Sequence, residues 1–258
     1  MTDTAQPVPG GRLPVRVWEI VAPQMVIVFG VAVAVLAGIV ALVVLKAGMP
    51  HWDVDAFVKT LPTNLYVVVI TTGVLYLVMI AVLVAICRRR GPATFTGYYG
   101  RFSGGQFLGG AIIGALLAVG VSAGLAWLDR SHIVSMDTNK AEDVLTAARD
   151  PRQLALALSV IGLIGPIAEE VYFRGLLLAW LRRGLWVPLA ALADAAMFSA
   201  VHYQNAMHPG AEGWVLSGVI ATVGLLNAIF YLRTRSLWMP TGLHMSYNAT
   251  LVLLSYFA

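Results

Sequence analysis

Two adjacent carboxylates, Glu169 and Glu170, and one guanidinium, Arg174, stand within six positions of the stretch "IGPIAEEVYFRG", whose other residues suit the interior of a bilayer. An ionised residue near the centre of a membrane helix is unfavourable by roughly 2.5–3.5 kcal/mol on insertion scales, so such residues ordinarily mark a function. Further along lie His202 in "FSAVH" and His244 and Asn248 in "HMSYN". Carboxylates, imidazoles and an amide held away from bulk water can hydrolyse a bond through an activated water. A glutamate in a low-dielectric pocket can act as general base at neutral pH. Glu169 is the candidate base, and His202 can hold the same water and shuttle its proton. His244 and Asn248 can donate hydrogen bonds to the oxyanion, where one donor is typically worth ~10²–10³ in rate.

Spacing separates the roles. Glu170 and Arg174 are four apart, share a helical face and can pair. Glu169, about 100° around the helix, points elsewhere. His244 and Asn248 are also four apart. Phe198 precedes His202 by one turn and can pack on its ring. A hairpin turning near Gly184 brings Glu169 level with about residue 200, less than a turn from His202. His244 reaches that level if 233–239 runs extended, at about 3.3 Å per residue, and the helix begins near Pro240, since proline suits a first turn.

The elements that must position these groups are membrane helices. Of 258 residues, 59% are hydrophobic and only 12% charged. Residues 20–45, 60–87 and 103–128 contain no Asp, Glu, Lys or Arg, and each exceeds the ~20 residues needed to cross the hydrocarbon. Seven spans account for the chain, at about 20–45, 62–87, 105–128, 153–181, 185–203, 213–232 and 238–257. The expectation is an all-α, polytopic helical bundle. With the N-terminus inside, ten basic residues face the cytoplasm and six lie outside, four of these in the loop 129–152 beside five acids. That asymmetry predicts a cytoplasmic N-terminus. The chain divides into a flexible cytoplasmic tail (1–17), three N-terminal spans with their loops (18–152), and a four-span catalytic core (153–258). A short surface helix is expected around Val144–Ala148. "GPATFTGYYGRFSGG" reads as a Gly-rich connector without phosphate-loop spacing. The net charge of +4 falls at span ends, which speaks for orientation and against nucleic-acid binding. Cys87 alone excludes an internal disulfide.

The three motifs together resemble a known family. "EEVYFRG" is similar to the EExxxR signature of the CAAX-protease and bacteriocin-processing (CPBP, or Abi-type) intramembrane endopeptidases. "FSAVH" is similar to its FxxxH element and "HMSYN" to its HxxxN element, in the family's order. The resemblance implies a glutamic protease whose site opens within the membrane towards the cytoplasm. It assigns Glu169 as general base, His202 as its partner, and His244 with Asn248 as oxyanion hole, supported by Glu170, Arg174 and Phe198. Eukaryotic members trim prenylated C-termini, while many bacterial members process peptides or serve as self-immunity proteins. The implied setting is the cytoplasmic membrane of a bacterium. The expected partners are a peptide or membrane-protein substrate and the lipid bilayer.

Plainer readings stand beside these. Glu170 with Arg174 can be a structural ion pair compatible with catalysis nearby, and a membrane histidine or asparagine is often an interhelical hydrogen-bonder. Asp194 reads as a supporting or proton-path residue and Asn227 as packing. Gly162, Gly165 and Pro166 read as sites of close approach or a kink. His208 and Glu212 read as solvated. Glu169, Glu170, His202 and His244 are enough ligands for a catalytic zinc, but no HExxH pattern occurs, and the expectation is a reaction without metal or other cofactor. The rival function is a non-proteolytic immunity or scaffold protein binding a peptide or partner in the same cavity. A small transporter is a third reading, weakened by the absence of repeated halves.

Overall fold

The computed structural model describes residues 15–26, 28–30, 38, 46, 53, 64–90, 94–135, 148, 150–202 and 210–257. Among these it is helical with no strand. The N-terminal tail to residue 14, most of the first predicted span, and all but Ala148 of the surface helix expected around Val144–Ala148 lie outside the described residues. Seven helices are used below: α1 (Leu65–Arg90), α2 (Thr94–Tyr99), α3 (Gly104–Arg130), α4 (Pro151–Leu181), α5 (Val187–Ala200), α6 (Ala211–Thr234) and α7 (Trp238–Phe257).

Their starts follow from local chemistry. Ser103 caps α3 by accepting from the Gln106 N–H at 3.3 Å. Asp150 caps α4, its Oδ1 accepting from Arg152 and Gln153 N–H at 2.8 and 3.0 Å, with Pro151 opening the helix. Side-chain acceptors satisfy amides that have no partner inside the helix, and proline forfeits none there.

α1, α3, α4 and α6 are each long and apolar enough to cross a bilayer, and the chain is a membrane protein. α5 is shorter than the fifth predicted span. Its 14 residues extend about 21 Å at 1.5 Å per residue, short of a ~30 Å hydrocarbon core. α7 is 20 residues long, but Thr241, His244, Ser246, Asn248 and Thr250 make it too polar to stand with those four.

The outward faces are apolar. Leu108, Ile112 and Leu116 follow each other by turns along α3 and are exposed, while Gly110, Gly114 and Ala118 face inward. The inward glycines bring α3 against α7. A methyl group at Gly110 or Gly114 would strike the carbonyls of Met239 and Leu243, and one at Gly242 that of Phe107. Ser246 donates across this seam to the Ala111 carbonyl at 2.7 Å.

The Gly-rich connector contains α2, which is built into the bundle. The Tyr98 ring lies on Gly175 of α4. The Tyr98 carbonyl accepts from Leu237 N–H at 3.3 Å, and the Tyr99 carbonyl accepts from Ser236 Oγ at 2.7 Å. Burial pushes the Tyr99 phenol up to about 12. The N-terminal segment meets the same end: Glu19 pairs with Arg90 at 3.1 Å, and the Val15 carbonyl accepts from Arg183 at 2.7 Å.

The extended run expected over 233–239 is absent. α6 continues to Thr234, Arg235 turns left-handed at φ 56° to end it, and α7 begins at Trp238 with Pro240 in its first turn. Three residues suffice because α2 supplies the polar partners that an extended membrane-depth segment would need. Glu212, expected in solvent, is buried in the first turn of α6, where the helix N-terminus favours an acid. His208 lies outside the described residues.

Candidate active site

α4 carries the carboxylates on an unusual backbone. Leu158–Ile164 and Val171–Leu177 are π-helical, and Gly165–Glu170 between them is α-helical. π-turns are rare and concentrate at functional sites. Small residues admit neighbours here, as expected of Gly162 and Gly165. A Cβ on Gly165 would lie 2.9 Å from the Tyr76 ring of α1, and one on Gly162 3.5 Å from Ala249 of α7.

Glu170 is the hub. Its Oε1 accepts from His244 Nδ1 at 2.8 Å, Asn227 Nδ2 at 3.0 Å and Arg174 Nη1 at 3.3 Å. Arg174 Nε stands 3.2 Å from Glu170 Oε2 and 3.6 Å from Asp194 Oδ2. The Nε–Oε2 contact lacks the alignment of a hydrogen bond and acts through charge. Arg174 also donates from Nη2 to the Gly224 carbonyl at 2.7 Å and lies 4.7 Å over the Phe198 ring. Glu170, Arg174, Asp194 and Asn227 have no exposed surface. Buried charges persist only when paired and hydrogen-bonded, and this network draws on α4, α5, α6 and α7.

Glu169 faces another way, as its offset from Glu170 requires. Its Oε1 accepts from the Tyr76 hydroxyl of α1. Its Oε2 stands 3.6 Å from His244 Nε2 and is buried without a hydrogen-bond partner among the described residues. His244 therefore bridges the carboxylates: its Nδ1–H donates to Glu170, which turns Nε2 towards Glu169.

His202 lies two residues beyond the end of α5, its Nδ1–H donating to the Phe198 carbonyl at 2.7 Å, which leaves Nε2 outside that hydrogen bond. Phe198 packs against both imidazoles, with ring centroids 4.8 Å from His202 and 5.5 Å from His244. Asn248 shares the α4-facing side of α7 with His244. Its Nδ2 donates to the Ile161 carbonyl at 3.0 Å, inside the first π segment.

The structure thus gathers Glu169, Glu170, Arg174, Phe198 and His244 into one cluster, with His202 attached through Phe198 and Asn248 against the backbone of α4. Asn227, read as packing, belongs to it as a direct donor to Glu170, and Asp194 is a partner of Arg174. Both were visible as polar residues in apolar helices, but their distance along the chain hid the partner. Tyr76 gave no signal, being a tyrosine in an otherwise unremarkable span. Among the described residues, no three His, Cys, Asp or Glu side chains are arranged to hold a metal.

No curated protein and no solved structure matches the chain. The family model described as Type II CAAX prenyl endopeptidase Rce1-like matches residues 151–250. That range runs from the first residue of α4 to Thr250 in α7 and holds every motif residue of the cluster, so the match falls on the same part of the chain whose three motifs resemble the CAAX-protease family.

Proposed function

We propose that the protein is an intramembrane endopeptidase that cleaves a prenylated or otherwise membrane-associated peptide by glutamate-activated water. The observation that carries this reading is the setting of Glu169: buried, fixed through one oxygen, with the other turned towards His244 Nε2. Water placed at that oxygen loses a proton to Glu169 as its oxygen bonds to the scissile carbonyl carbon. His202, through Nε2, helps orient the water. The tetrahedral oxyanion is held by the Nε2–H of His244, which enters and leaves the cycle as the imidazolium, and by the second amide hydrogen of Asn248. Collapse breaks the C–N bond, and Glu169 passes its proton to the leaving amine. Glu170, Arg174 and Phe198 keep these groups in register.

No step requires a metal. The basic ends of α1, α4 and α6 support an opening on the cytoplasmic side, with residues 153–258 as the catalytic core.

A survey of protein termini in host membranes tests the reading. Wild type should generate termini that disappear with Glu169→Gln and His202→Ala at matched expression. Cleavage by the purified enzyme should withstand EDTA, and a loss restored by added metal would replace the glutamate mechanism. Identical termini in all three strains, with any host phenotype still rescued by both variants, would instead favour the non-proteolytic binding role.

A further inference from the structure

The segment that matches the protease family does not contain the whole site. Glu169 Oε1 is held from outside it, by a tyrosine 93 residues earlier in the chain. We propose that Tyr76 is a positioning residue for Glu169, fixing which carboxylate oxygen faces the water, so that α1 is part of the active site.

Three observations converge. The Tyr76 hydroxyl donates to Oε1, leaving Oε2 towards His244 Nε2 at 3.6 Å. Gly165, one turn before Glu169, provides the flat backbone on which the Tyr76 ring lies, because any larger residue would occupy that space. α1 itself is pressed onto α4 at Gly73, where a Cβ would come within 3.0 Å of Val160. The ring therefore has little freedom, and neither does the oxygen it holds.

The arrangement answers a requirement of general-base catalysis. A glutamate has three side-chain torsions, and a free carboxylate would share its lone pairs among several directions. Productive geometry demands that the base be held in one. Glu170 is immobilised by three donors. Glu169 cannot be immobilised in that way, because one oxygen must stay available to water. A single phenol on the opposite oxygen satisfies both conditions. The groups facing Glu169 are then Tyr76 from α1 and His244 from α7.

The test rests on the proposed proteolysis for one arm and is independent of it for the other. The probe is a farnesylated peptide with a CAAX C-terminus, given to purified full-length protein in micelles. Tyr76→Phe removes one oxygen and keeps the ring on Gly165, so folding is preserved. Its kcat should fall about tenfold, the order expected for one lost hydrogen bond to a charged group, with KM within about twofold. Gly165→Ala, which displaces the ring and leaves the hydroxyl in the chain, should reproduce that loss. The double variant should be no worse than either single one. The second arm is infrared difference spectroscopy: the carboxyl band abolished by Glu169→Gln should shift in Tyr76→Phe. An unmoved band overturns the proposal, and so does an unchanged kcat in an enzyme that cleaves the probe. A wild type that leaves the probe intact removes the support for a prenyl-peptide substrate, and the band alone then decides whether Tyr76 holds Glu169.

Discussion

Glu170 and Arg174 show at the residue scale how a charged pair survives in an apolar bundle. Neither has exposed surface, and Coulomb attraction alone seldom repays desolvation at such depth. What makes the pair tolerable is its neighbours: His244 and Asn227 on Glu170, the Gly224 carbonyl and the Phe198 face on Arg174. Arg174→Ala should therefore destabilise the protein by about 3–5 kcal/mol, because it leaves Glu170 and Asp194 buried without their cation. Denaturant unfolding in micelles measures this, and a loss below about 1 kcal/mol would mean the network is not charged in the way described. The pair itself was legible in the sequence, since four residues of spacing on a helix leave few alternatives. Asn227 and Asp194 were not legible as its partners. Their contacts depend on how α5 and α6 cross α4, and helix crossing leaves no trace in local sequence.

The backbone of α4 carries information at the element scale that no periodicity reveals. In the first π segment the Gly165 N–H bonds to the Val160 carbonyl, five residues back. Continued in that register, the Ile161 carbonyl would meet residue 166, which is proline and has no N–H. That carbonyl is the one Asn248 takes up at 3.0 Å. Asn248 thereby clamps the turn that leads into Glu169, besides any hydrogen bond it offers the oxyanion. Asn248→Ala should cost about 1–2 kcal/mol in stability by orphaning a partly buried carbonyl. Pro166→Ala supplies a donor where one is missing, so the double variant should recover about half or more of that loss in unfolding measurements. Strictly additive effects would show that residue 166 and Asn248 do not serve the same carbonyl. Activity in the double variant isolates the oxyanion contribution, which an added backbone N–H cannot replace. From sequence alone Pro166 suggests close approach or a kink, and Asn248 a donor to the oxyanion. A π register links the two, and it was not foreseeable from hydrophobic spacing.

The first half of the chain was the least legible at the scale of the whole molecule, because apolar spans without motifs look alike. Its contribution is geometric. α3 places α7, and α7 carries His244 and Asn248. The signal available was Gly110-x-x-x-Gly114, a spacing that lets two membrane helices approach closely, and Gly242 answers it on α7. At Gly114 a side chain would meet the Leu243 carbonyl, the residue before His244. Gly114→Val must then push α7 outward from α3, and the imidazole moves with its backbone. Misplacing a catalytic group by about 1 Å can cost on the order of 10² in rate, so cleavage by this variant should fall by roughly that factor. Gly120→Ala on the same helix, where nothing lies within 4 Å, should stay within about twofold of wild type. Comparing the two separates loss of helix approach from loss of a helical glycine. Equal activity in both variants would mean that α7 takes its position from α4 and α6 alone, and that the α3 seam serves only to close the bundle.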